Sequence, residues 1–80
     1  ISLANDTRYG LAAYFWTRDY SRAWHVAEQL EAGMVGLNDV AISGDSTPFG
    51  GVKESGMGRE GSHYGLEDYL DIKYIAMGGI

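Results

Sequence analysis

A chain of 80 residues is one small domain at most, and with no cysteine it holds neither a disulfide nor a thiol nucleophile. Its formal net charge is −5 and its six basic residues are scattered, which argues against nucleic-acid binding. The longest apolar run, Leu11 to Trp16, is far too short to span a membrane, and no signal peptide is visible.

A chain this short buries only about 60 % of the surface its unfolded form exposes, so its stability needs outside support. Zinc does not supply it, since His25 and His63 lie far apart and no cysteine joins them. A further stretch of chain or a second copy is left. The absent cysteine fits a cytoplasmic protein.

The opening Ile1-Ser-Leu-Ala4 has no initiator Met and no helix start signal, as if cut inside an element. Ile1 to Thr7 reads as the tail of a helix, closing near Tyr9-Gly10 with glycine just past its end. Leu11 to Thr17, apolar and aromatic, predicts a buried strand. Asp19 is a plausible N-cap for a helix whose apolar face is Tyr20, Ala23, Ala27 and Leu30, stopped by Gly33. Met34 to Asn38 predicts a second short buried strand. Strand, helix and strand then form a parallel unit with a right-handed crossover. Its apolar strands need cover on both faces, and one helix cannot supply that.

Residues 39 to 61 form a long polar, glycine-rich loop holding the only proline, Pro48. Loops this long are usually functional or disordered, and this one leaves the C-terminal end of a parallel strand, where α/β sheets bind ligands. Arg59 to Asp71 predicts a helix interrupted by Gly61 and Gly65. Ile72 to Met77 predicts a final strand.

Several motifs carry a sharp reading beside a plain one. Gly56-Met-Gly-Arg-Glu-Gly61 matches G-x-G-x-x-G, but neither a buried strand before it nor a glycine-free helix after it is evident; a tight loop is the plainer reading. Phe49, between Pro48 and Gly50-Gly51, is either the rigid wall of a pocket or a buried anchor for the loop. Ser43, Asp45, Ser46 and Thr47 are ordinarily turn formers. His25 and His63 have no evident partner and carry no assigned role. Glu67, Asp68 and Asp71 fit a solvated face better than a metal site.

Taken in order, Ala4-Asn-Asp-Thr-x-Tyr-Gly-Leu-Ala-Ala13, Leu30-x-Ala-Gly-x-Val-Gly-Leu-Asn38, Pro48-Phe-Gly-Gly-Val-Lys-x-Ser-Gly-Met-Gly-Arg-Glu-Gly61, Tyr64-Gly-Leu-Glu-Asp-Tyr69 and Ile72-Lys-Tyr74 resemble the C-terminal end of the aldehyde dehydrogenase superfamily, nearest its succinate-semialdehyde dehydrogenases. The resemblance implies an α/β fold: residues 1–71 as the C-terminal part of a catalytic domain, with loop 39–61 in its substrate tunnel, and residues 72–80 as an oligomerisation strand and tail. It implies oxidation of a carboxylated semialdehyde, succinate semialdehyde favoured, with NAD or NADP as oxidant. In that family a cysteine thiolate attacks the aldehyde, hydride passes to the nicotinamide, and water activated by a glutamate hydrolyses the thioester. None of those catalytic groups, and no cofactor or metal site, is expected among these residues. Asn38 is read as structural.

Ser43 stands five residues before Pro48, where semialdehyde-specific relatives place a serine that helps bind the substrate carboxylate; the arginines completing that site lie outside this chain. Phe49 matches a tunnel-lining position. Gly44-Asp45 departs from the commonest semialdehyde pattern, and an inward Asp45 would oppose a carboxylate. The implied partners are the remainder of the chain, further copies in a homo-oligomer (dimer or tetramer) and a small aldehyde. A non-catalytic interaction module derived from the family, or a small nucleotide-binding module on Gly56 to Gly61, are the competing readings.

Overall fold

The computed structural model describes residues 1–79. In chain order they form helix α1 (Ser2–Asn5), strand β1 (Tyr9–Gly10), strand β2 (Ala12–Phe15), helix α2 (Tyr20–Gln29), strand β3 (Met34–Leu37), strand β4 (Val52–Lys53) and a 3₁₀ helix (His63–Tyr69). β2 and β3 pair in parallel, Ala12 opposite Met34 and Phe15 opposite Leu37, so β2, α2 and β3 make a strand–helix–strand unit. β1 and β4 pair antiparallel, Tyr9 opposite Lys53.

α2 starts where its cap allows. The Asp19 side chain accepts from Arg22 N at 2.8 Å, satisfying one of the orphan donors of the first turn. The helix ends at Gln29, before Gly33 rather than at it, because the following backbone is already committed: Asn5 Nδ2 donates to Gln29 O at 2.8 Å and Asn5 Oδ1 accepts from Glu31 N at 2.8 Å. Gly33 serves a different need. A β-carbon there would collide with the carbonyl oxygen of Gly50 and come within 2.7 Å of Gly51 Cα, so glycine lets two backbone segments cross in contact.

Gly10 likewise does not close a helix. α1 ends at Asn5, and the chain extends to pair with β4; Gly10 is buried, and its N–H donates to Ser55 Oγ at 2.9 Å. Lys53 gathers this corner: its Nζ donates to Asn5 O at 3.0 Å and Thr7 O at 3.2 Å, and pairs with Glu31 at 3.4 Å. At the top of β3, Asn38 takes φ 56 and pairs with Thr17 as a backbone would: it accepts from Thr17 N and donates to Thr17 O, both at 2.9 Å. Asn tolerates this left-handed conformation better than other side chains, and the reciprocal bonds fix it.

Two further expectations are corrected. The helix expected over 59–71 is a 3₁₀ helix of seven residues, His63–Tyr69, because Gly61 takes φ +74 and Ser62 φ 50, which α-helical backbone forbids. Ile72 to Met77 forms no strand. Residues 72–79 have no regular structure, since a strand exists only by hydrogen bonding to a neighbour and no strand edge of the described residues reaches them; Ile72 and Tyr74 are fully or nearly fully exposed. Ile80, the last residue of the expected tail, lies outside the described residues.

Packing leaves the chain open. Ala23, at 8 % exposure, is the single buried apolar side chain other than glycine among the described residues, while Tyr14, Trp16, Tyr20, Trp24 and Leu37 are exposed. The accessible surface is 6734 Å², against roughly 4,700 Å² for a compact protein of 8.7 kDa. The radius of gyration is 17.4 Å, against about 12 Å for a compact 80-residue domain. The excess of roughly 2,000 Å² on one side exceeds the ~800 Å² that a partner contributes to an ordinary interface.

The isolated 80-residue chain is therefore expected to associate or to unfold without a sharp transition. Sedimentation and circular dichroism test this, and a cooperative, concentration-independent melt of a monomer would contradict it. In a complete protein carrying this segment, Asn38→Ala is expected to cost about 2–3 kcal/mol, from two lost bonds plus a left-handed alanine. Asn38→Gly should cost about 1 kcal/mol less, because glycine removes the backbone penalty. Thermal unfolding of the pair separates the two contributions.

Candidate functional site

The loop that leaves β3 is ordered by its own backbone. Thr47 N–H and Thr47 Oγ1 both donate to Gly44 O, at 3.2 and 2.9 Å, closing a turn just after Ser43. Pro48 follows, and Phe49 then pairs with Glu60 in an isolated antiparallel bridge with two 2.7 Å hydrogen bonds. Ser62 N–H donates to Asp45 O at 2.9 Å. The Arg59 guanidinium donates through Nη1 to Gly51 O and Gly58 O, each at 2.8 Å. Residues 39–61, expected to lack structure of their own, thus contain β4 and the Phe49–Glu60 bridge, and residues 45–51 bond to residues 59–62.

This folding brings Ser43 and Phe49 together. Both line one open concavity of about 470 Å³, with Gly44, Asp45, Glu60 and Gly61. Ser43 is exposed, and Phe49 is 38 % exposed. Phe49, Glu60 and Gly61 also line a larger hollow of about 760 Å³ that runs toward Leu66 and Tyr69, so Phe49 stands between the two. Asp45 shares the smaller concavity with Ser43, and the lining offers two carboxylates and no cation. A hydroxyl donor beside an aromatic wall can orient a small polar molecule: the hydroxyl donates to an anionic or carbonyl oxygen, and the ring packs on its carbon chain.

The residues that sequence reasoning left without a role here are Arg59, Glu60, Gly61 and Ser62. Their signal was present in the Gly56 to Gly61 spacing, whose glycines serve turns rather than a phosphate cradle. The two-residue strand before it, β4, is antiparallel, and the element after it is a 3₁₀ helix, so the strand–turn–α-helix setting that aims amides at a pyrophosphate is not formed by these residues. Asn38 is occupied with Thr17 at the end of β3. His63 stacks on its neighbour Tyr64, ring centroids 4.0 Å apart, and His25 is exposed on α2. Among the described residues no group of three or more His, Asp or Glu is placed to hold a metal ion, and no helix is long and apolar enough to cross a membrane.

Comparison with known proteins gives this geometry a context. A model of the aldehyde dehydrogenase family matches residues 1–75. The succinate semialdehyde dehydrogenase of Acinetobacter baylyi is 62% identical over 80 residues, which is 100% of this chain and 17% of that protein. The glutarate-semialdehyde dehydrogenase of Pseudomonas aeruginosa is 61% identical with the same coverage. The crystal structure of a succinate-semialdehyde dehydrogenase from Burkholderia pseudomallei matches with a TM-score of 0.90 at 64% identity, covering 92% of this chain and 15% of that one. The chain thus spans 15–17% of the length of these relatives. With a family model over almost its whole length and relatives above 60% identity, the chain belongs to the aldehyde dehydrogenase family.

Proposed function

We propose that these residues are part of an NAD(P)-dependent aldehyde dehydrogenase that oxidises a carboxylated semialdehyde to the acid, succinate semialdehyde first and glutarate semialdehyde second, in the cytoplasm. The observation that carries the reading is the meeting of Ser43 and Phe49 in one concavity. Two of the relatives named above act, by their names, on aldehydes that end in a carboxylate. Ser43 supplies a donor for that carboxylate, and Phe49 walls the path of the carbon chain. The thiol nucleophile belongs to another part of the enzyme, since this chain has no cysteine. Gly56 to Gly61 lacks the strand–turn–α-helix setting of a dinucleotide fingerprint, and the reading assigns NAD or NADP to another part of the enzyme.

The exposed apolar surface fits this assignment. Tyr14, Trp16 and Leu37 on and beside the parallel strands are the faces that the rest of a catalytic domain covers. The segment from Ile72 to Met77, which joins no strand of the described residues, is suited by its β-branched and aromatic composition to joining a sheet of a second copy. The chain is then both a tunnel wall and an assembly element of a homo-oligomer.

Two experiments test the reading. The isolated chain is expected to produce no NAD(P)H from succinate semialdehyde; activity that co-purifies with the 80-residue species and resists thiol alkylation would contradict this. In the complete enzyme, Ser43→Ala is expected to lower kcat/KM for succinate semialdehyde by on the order of tenfold or somewhat more, since a hydrogen bond to a charged group contributes about 1.5–3 kcal/mol. An uncharged aldehyde of the same length, butanal, should be scarcely affected. Phe49→Ala should impair both, because a wall packs on either chain. Equal losses for the two substrates in Ser43→Ala would remove the carboxylate role.

A further inference from the structure

We propose that Gly61 is a positioning residue for substrate selection: by leaving room for the carbonyls of Asp45 and Thr47, it sets where the Ser43 hydroxyl stands. The inference rests on the reading of Ser43 given above. A β-carbon at Gly61 would meet Thr47 O at 2.9 Å, Asp45 O at 3.4 Å and Gly44 O at 3.6 Å. Three carbonyls of the turn that follows Ser43 thus border the space a β-carbon at position 61 would fill, and Thr47 O is too close to admit it. These are backbone atoms and cannot swing aside as a side-chain tip would, so a methyl group at position 61 moves the turn itself. Gly61 also takes φ +74, where an L side chain is strained.

The next residue shows that the contact is held under strain. Ser62 takes φ 50 and ψ −173, a region that essentially only glycine occupies without strain. Such a conformation persists where its surroundings over-determine it. Here the surroundings are visible: Ser62 N–H donates to Asp45 O at 2.9 Å, and Ser62 Oγ accepts from Tyr64 N at 3.1 Å, anchoring the residue to the start of the 3₁₀ helix. Residues 61 and 62 are therefore the bed on which the turn 44–47 lies.

Phe49 has separate support. Its two 2.7 Å bonds run to Glu60, one residue before the bed begins. A change at position 61 presses on the Ser43 turn first and leaves the Phe49–Glu60 pair in place. Its effect falls on discrimination between charged and uncharged aldehydes, not on aldehyde oxidation as such.

The test uses the complete enzyme and the ratio of kcat/KM for succinate semialdehyde to kcat/KM for butanal. Gly61→Ala is expected to lower that ratio about five- to tenfold, mostly through KM for the semialdehyde. In a Ser43→Ala background the same change should alter the ratio by less than about twofold, since the two act as one unit. Ser62→Gly adds no atom and takes the observed backbone freely, so it is the variant to read if the alanine enzyme does not fold. It should lower the ratio by about two- to threefold as the bed loses rigidity. An unchanged ratio in the folded variants, or equal losses for both substrates, overturns the proposal. If Ser43→Ala itself leaves the ratio unchanged, the reading of Ser43 has failed. If Ser43→Ala lowers it while Gly61→Ala and Ser62→Gly do not, the positioning role alone has failed.

Discussion

Backbone lies directly on backbone where the loop after β3 returns across the strand–helix–strand unit, and the rest of the arrangement depends on that crossing. Gly33 faces Gly50 and Gly51 with no room for a β-carbon between them. Arg59 then holds Gly51 O, and Phe49 pairs with Glu60. These contacts are polar and local. With Ala23 as the one buried apolar side chain besides glycine among the described residues, the segment has little hydrophobic driving force of its own. A net hydrogen bond contributes only about 0.5–1.5 kcal/mol, while each ordered residue costs about 1–2 kcal/mol of backbone entropy. A loop built in this way is shaped by its internal bonds but needs a larger core beneath it to stay in place.

That division explains which parts were legible in the sequence. α2 was readable because its cap and its apolar spacing are local: Asp19, Ala23 and Leu30 specify start and face within twelve residues. The pairing of β2 with β3 followed from two short apolar runs separated by a helix. The roles of Gly10 and Gly33 were misread because a glycine after a helix has a plain local meaning, whereas their actual partners, Val52 and Gly50, lie at least seventeen residues away in sequence. β4 was missed for the same reason, since two residues carry no periodicity. The Ile72 to Met77 segment has strand-like composition but no strand, because pairing is a property of two segments and only one is present. Ser43 and Phe49 were selected by resemblance, and it is the turn closed by Thr47 and the bridge at Glu60 that set them in one concavity.

The lining of that concavity poses an electrostatic question that magnitudes can decide. Asp45 lies on the same wall as Ser43, with no cation in the lining. Two unit charges about 7 Å apart repel by roughly 0.6 kcal/mol in water and about 2.4 kcal/mol at an effective dielectric of 20. A hydrogen bond from Ser43 to a carboxylate contributes about 1.5–3 kcal/mol. While the concavity is open to solvent, the hydroxyl outweighs Asp45. At the higher figure the repulsion is of the size of the bond, and the hydroxyl alone does not favour an anion. On the proposal that a carboxylated aldehyde binds beside Ser43, its selection calls for a cation contributed from outside these residues. The resemblance to semialdehyde dehydrogenases implies arginines in that place. On this account Asp45 makes the segment dependent on the rest of its enzyme for charge, just as its exposed strands make it dependent for cover.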